Sequence, residues 1–191
     1  MKTIKRLRQG LLIVALATAS GLQAAEVAEV RIADQVKVGD SELVLNGAGL
    51  RSKLFFKVYV GALYVGQKAS DAQALIDSTQ PRRMRLRLMR DVDADSFYAA
   101  LDEGLRNNHT AAQFAEIKAQ AEQLGALMRA FGKVREGEVI DIDFTADGVT
   151  LTRNGEAAGK VAGAAFAKGL LRVWLGDKPA DAGLKKSLLG G

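Results

Sequence analysis

The sequence predicts an α+β domain in which a large, mainly antiparallel sheet carries helices packed on one face. Three observations predict it. Runs with the two-residue alternation of strands fill much of residues 29–65, 82–89 and 138–152. Apolar residues at helical spacing fill 93–128 and 163–175. The order is therefore strands, helices, strands, helix, the pattern of an α+β fold rather than of alternating βαβ units.

Each element has its own local reason. Glu29–Ile32, Gln35–Val38 and Glu42–Leu45 alternate polar and apolar side chains, with Gly39-Asp40 as a turn. Gly47-Ala48-Gly49 reads as a second turn that delivers Arg51 to the mouth of a long strand, 53–65. Both faces of that strand are largely apolar toward its far end, so it is expected to be central and covered on both sides. Ser70-Asp71 caps a short helix through Ile76. Residues 82–89 form a strand with Arg83, Arg85 and Arg87 on one face and Met84, Leu86 and Leu88 on the other. Asp93 to Ser96 open a helix carrying Phe97, Leu101 and Leu105. Asn107 to Thr110 break it, and Thr110 caps a second helix with the stripe Phe114, Ile117, Ala121, Leu124 and Met128. Asp147-Gly148 and Asn154-Gly155 mark hairpin turns. An apolar helix then ends near Gly176, and Pro179 begins a short amphipathic tail.

The ends and the composition narrow the function. Residues 1–24 read as a secretory signal: Lys2, Lys5, Arg6 and Arg8, the apolar run Leu11–Ala17, then small residues, with cleavage after Ala24 or Ala25. Residues 25–191 are expected to form one domain, in the periplasm. The net charge is +5, but four cations and no acid precede residue 25, so the remainder carries +1. The basic balance is thus no argument for nucleic acid. There is no cysteine, which removes disulfides, thiol nucleophiles and thiolate metal sites. His109 is the only histidine and sits in a polar break, so it reads as a surface residue near a helix cap and no metal is expected. No later stretch is apolar enough for a membrane-crossing helix, and no cofactor motif is present.

The candidate chemistry lies at Arg51, Tyr59 and Tyr64. A fixed cation near phenolic hydroxyls on an apolar wall suits a ligand with an anionic head and an apolar body. The arginines at 82, 83, 85, 87 and 90 read as a solvated, salt-paired strand face, with an anion-binding strand as the alternative. Asp141 and Asp143 read as the solvent face of another strand.

Gly47-Ala48-Gly49-Leu50-Arg51, followed by Phe56-Lys57-Val58-Tyr59-Val60-Gly61-Ala62-Leu63-Tyr64-Val65, resembles the signature of chalcone isomerase-like proteins. The likeness extends in element order to the helix of Leu171–Asp177. It implies an open-faced β-sandwich of chalcone isomerase type, with a cofactor-free ligand cleft between sheet and helices. The family holds plant isomerases that close a chalcone to a flavanone and proteins that bind fatty acids. By this resemblance Arg51 matches the arginine that steadies the phenolate in the isomerase. Tyr59 stands where a threonine helps polarise the ketone, and Lys57 matches a nearby lysine. The helix-borne tyrosine, asparagine and hydroxyl residue fall at Phe97, Gly104 and Ala167, with Tyr98 and Asn107 or Asn108 as substitutes if the register slips. The fatty-acid-binding branch pairs the arginine with a tyrosine, for which Tyr59 fits first and Tyr64 second. The expectation is a non-catalytic binder of a fatty acid or similar amphipathic carboxylate. The alternatives are an intramolecular lyase acting on an enone and a periplasmic interaction protein without a small ligand.

Overall fold

The computed structural model describes residues 25–191, so the expected signal segment lies outside the described residues. The strands are β1 (Ala25–Val27), β2 (Val30–Ile32), β3 (Gln35–Val38), β4 (Ser41–Lys53), β5 (Phe56–Val65), β6 (Arg82–Leu88), β7 (Val92–Asp93), β8 (Lys133–Val134), β9 (Val139–Thr145), β10 (Gly148–Arg153) and β11 (Glu156–Ala162). The helices are α1 (Ala72–Asp77), α2 (Ala94–Asn107), α3 (Ala111–Arg129), α4 (Ala164–Leu175) and α5 (Ala182–Leu188). Seven strands form one antiparallel sheet in the order β11-β10-β9-β6-β5-β4-β3. The large sheet with helices on one face is the architecture the sequence predicts.

The expected helix signals act as their chemistry requires. Asp71 and Asp93 accept backbone N–H groups at the starts of α1 and α2. Thr110 and Gln113 form a reciprocal capping box at α3. Phe97, Leu101 and Leu105 of α2 and the whole Phe114-to-Met128 stripe of α3 are buried. Helix α4 packs against α2, α3 and the β9–β10 part of the sheet, and its Phe166, Leu170, Leu171, Val173 and Trp174 are buried in the main core. Tyr59, Leu63 and Val65 of β5 face that core, whereas Val60, Ala62 and Tyr64 face a smaller core with Ile32, Val38 and Leu43. β5 is thus covered on both sides, as its two apolar faces require.

Three features differ from the sequence reading. The expected Glu29–Ile32 strand begins at Val30 and is the second arm of a hairpin, β1–β2; Ala28 and Glu29 take φ of 49° and 68° at its turn, and no glycine advertises it. Gly47-Ala48-Gly49 is not a turn. It lies within β4, and the turn falls at Leu54-Phe55, so the expected 53–65 strand is a hairpin end followed by β5. The glycines serve packing: a Cβ on Gly47 would meet the Ser187 carbonyl oxygen and lie 2.8 Å from that of Leu188, and one on Gly49 would lie 2.7 Å from Ser187 Cβ. Helix α5 therefore rests directly on the β4 backbone. Asn46, the extra residue at a bulge in β4, locks it there by donating to the Leu188 carbonyl at 2.7 Å.

The third difference concerns charge. Asp141 and Asp143 are buried, not on a solvent face. Arg85 grips Asp141 through two 2.7 Å hydrogen bonds, and Arg83 grips Asp143 at 2.6 and 2.7 Å. The pairs sit opposite each other in the β6–β9 register, which the alternation of either strand alone does not reveal. Arg82 is buried too, donating to the carbonyls of Leu75, Ile76 and Gln80 around the end of α1. Burial lowers its pKa to about 10, still far above neutrality.

Candidate functional site

A cleft of about 330 Å³ opens where the β4–β5 hairpin, the end of β6 and the start of α2 meet. This is the expected position between sheet and helix layer. Its walls are hydrocarbon from Val58, Leu88, Val92, Phe97 and Ala100. Arg51 and Tyr59 line it together because they are directly paired across β4 and β5, which puts both side chains on one face.

Arg51 is partly buried, and its guanidinium carbon lies 5.5 Å from the centre of the Tyr59 ring. Its Nε is enclosed and has no hydrogen-bond partner among the described residues. Nor does any carboxylate among them form a salt bridge with it. An arginine serving only structure would be expected to hold an acid or a carbonyl, as Arg82, Arg83 and Arg85 do.

Tyr59 is 3% exposed. Trp174 Nε1 of α4 donates to its hydroxyl at 2.8 Å. Indole is a donor only, so this bond uses a lone pair of the phenol and leaves its proton to be given elsewhere. Burial pushes the Tyr59 pKa up to about 12; the Arg51 charge and the Trp174 hydrogen bond pull the other way and are outweighed. The hydroxyl is therefore a neutral donor at any ordinary pH. Trp174 was not singled out as a site residue from the sequence. The one available signal was that a lone tryptophan on an apolar helix must find an acceptor for its N–H.

The rim is electrostatically lopsided. Asp91 pairs with Lys133 at 2.8 Å and accepts the Glu136 N–H, while Asp93 accepts the Ser96 N–H at the start of α2. Lys133 lowers the Asp91 carboxyl pKa, and the Ser96 hydroxyl, followed by its N–H, lowers that of Asp93. Lys53 and Arg90, also at the rim, have no salt bridge among the described residues. Asp91 is paired with a lysine and Asp93 is held by the start of α2, whereas Lys53 and Arg90 are without an acid partner among the described residues.

The structure separates Tyr64 from this group. It points to the opposite face of the sheet, fully buried near Arg85, whose guanidinium carbon is 5.9 Å from its ring centre. An interval of five residues along a strand changes face, so Tyr59 and Tyr64 could not share a site. Of the basic stretch, only Arg90 reaches the cleft. Lys57 is exposed and does not line it. Gly104 packs against Val173 and Ala167 is buried in the core. The substitute positions are also occupied elsewhere: the Tyr98 ring covers Gly125 of α3, and Asn108 binds the Gly104 and Lys178 carbonyls. His109 is more than a surface residue, since its Nδ1 donates to the Leu105 carbonyl at 2.7 Å while its ring packs on Gly169.

The alkaline titration of Tyr59 gives a direct check on this arrangement. An unfolded tyrosine ionises near pH 10, so between pH 10 and 12 the unfolded chain loses a proton that the folded chain keeps. The contribution of Tyr59 to stability is intact below pH 10 and is lost as pH rises toward 12. In urea denaturation, the native sequence should lose about 2 kcal/mol more than Tyr59→Phe between pH 9 and 12. Equal losses would contradict the burial of the phenol.

No curated protein matches the sequence. Among solved structures, the crystal structure of a fatty-acid binding protein of Arabidopsis thaliana is similar, with a TM-score of 0.63 and 16% identity, over 80% of this chain and 89% of that chain. At that identity the likeness is one of fold. The family profile described as chalcone isomerase-like matches residues 24–190. The chain therefore belongs to the chalcone isomerase-like family.

Proposed function

We propose that this protein is a non-catalytic binder of a fatty acid or a similar amphipathic carboxylate, held in the cleft beside Arg51. The observation that carries the proposal is a partly buried Arg51 on the wall of an apolar cleft, its Nε enclosed and no acid paired with it among the described residues. A carboxylate in the cleft would pair with the Arg51 guanidinium and gain a second donor from the Tyr59 hydroxyl, which Trp174 orients. Burial of the acyl chain against Val58, Leu88 and Phe97 would supply most of the affinity. The fatty-acid binding protein of similar fold is consistent with this reading.

The lyase reading is less well supported. Closing an enone needs a steadied oxyanion and a polarised carbonyl, each an electrostatic contribution from fixed groups. Phe97 and Ala100 present hydrocarbon where α2 meets the cleft, and Tyr59 is the one buried hydroxyl lining it among the described residues.

Export to the periplasm belongs to the same proposal and is supported by the basic, apolar and small-residue succession of residues 1–24. N-terminal sequencing of the protein recovered from the periplasmic fraction should begin at Ala25 or Glu26; a chain still beginning at Met1 would overturn it. For the site, calorimetry with a long-chain carboxylate and its methyl ester tests the ion pair. Arg51→Ala should weaken the carboxylate by about 10- to 100-fold, the range expected for a hydrogen bond to a charged group, and the ester by less than about twofold. Equal weakening of the two ligands would remove Arg51 from the head-group site.

A further inference from the structure

We propose that the β4–β5 hairpin tip is a membrane-docking finger that seats the cleft mouth on an anionic bilayer surface. Leu54, Phe55 and Phe56 are 84%, 98% and 56% exposed, and they are the exposed large apolar side chains among the described residues. A protein that buries nearly all its other large apolar groups and gathers its exceptions at one point has an occupant for that point.

The geometry suits insertion. β3 pairs with β4 only as far as Val44, and β6 pairs with β5 only from Tyr59 onward. Val58 still accepts the Met89 N–H at 2.9 Å, and beyond it the two strands pair only with each other, the register shift at Arg51/Ser52 lying near this point. Its two-residue loop is Leu54-Phe55, with Leu54 at φ 56°. Glycine would take that backbone angle without strain, so the leucine side chain is held at the apex against local preference.

The charge around the tip identifies the occupant. Lys53 and Lys57 flank the apolar residues on the two strands, and the Arg90 guanidinium carbon lies 4.7 Å from the centre of the Phe56 ring. Lys57 is exposed, and Lys53 and Arg90 are exposed at the rim. An apolar wedge collared by cations matches a bilayer, where aromatic and aliphatic groups enter the acyl boundary and cations stay with anionic head groups. Lys53, Leu54 and Phe56 also line the cleft, so the wedge and the cleft mouth are continuous. A docked molecule would open its cleft toward the lipid, giving an amphiphile a path that avoids water.

The test is co-sedimentation of the purified protein, freed of residues 1–24, with vesicles of phosphatidylglycerol and phosphatidylcholine or of phosphatidylcholine alone. The protein should bind the anionic vesicles at low salt and lose most of that binding in 0.5 M salt, roughly a Debye length of a few ångströms. Phe55→Ser should weaken vesicle binding about tenfold, and Lys57→Glu should weaken it on anionic vesicles only. Neither residue lines the cleft, so carboxylate binding in vesicle-free buffer should be unchanged in both variants. Conversely, Arg51→Ala should still sediment with vesicles, which separates this proposal from the ligand proposal. No binding of the native sequence to anionic vesicles would overturn it. So would a Phe55→Ser variant that binds equally well, or a solution dimer that Phe55→Ser dissolves without any change in vesicle binding.

Discussion

An arginine on an apolar cleft wall, its Nε shut off from solvent and no acid paired with it among the described residues, is the condition on which the rest of this site depends. A shut-off N–H without an acceptor is costly, and the Arg51 Nε has none among the described residues, while its guanidinium carbon lies 5.5 Å from the centre of the Tyr59 ring. The fold supplies the means to keep it there. Direct pairing of β4 and β5 sets Arg51 opposite Tyr59, Trp174 of the central helix fixes the Tyr59 hydroxyl, and α5 presses on the glycines just upstream in β4. The cation is carried on a strand paired with β5 and backed by α5, so its position is not left to a loop.

The arginines of this chain show that residue type says less than partnership. Arg83 and Arg85 are held by buried carboxylates, and Arg82 by carbonyls at the end of α1. Their charges are consumed by the fold. Arg51, Lys53 and Arg90 gather around one cleft, where the two aspartates of the rim are already engaged by Lys133 and by the start of α2. The protein thus presents positive potential at one place although residues 25–191 carry a net charge of only +1. That potential, the hydrocarbon walls and the apolar hairpin tip lie together at one end of the sheet.

Much of the architecture was legible in the sequence because it rests on local rules. Helix caps at Asp71, Asp93 and Thr110, the stripe on α3 and the two-sided burial of β5 each follow from residue spacing alone. What escaped depended on neighbours far along the chain. Gly47 and Gly49 look like turn residues until Ser187, some 140 residues later, is seen lying on them. Asp141 and Asp143 look solvated until β6 is placed beside β9. Arg51 and Tyr59 were legible as a pair. Tyr64 was assigned with them although strand alternation puts it on the other face, and Trp174 needed the packing of α4 to become visible. The hairpin tip was hidden because Leu54-Phe55-Phe56 reads naturally as strand, its turn carrying neither glycine nor asparagine.

The central claim is that a carboxylate meets Arg51 inside the cleft, and carbon-13 magnetic resonance of a carboxyl-labelled long-chain fatty acid bound to the protein tests it most directly. Pairing with the guanidinium should hold the bound carboxyl in its ionised form, so its resonance should titrate at a lower pH than that of the free acid. A bound carboxyl that titrates above the free acid would place the head group in hydrocarbon or in a site without the cation, and would contradict the account.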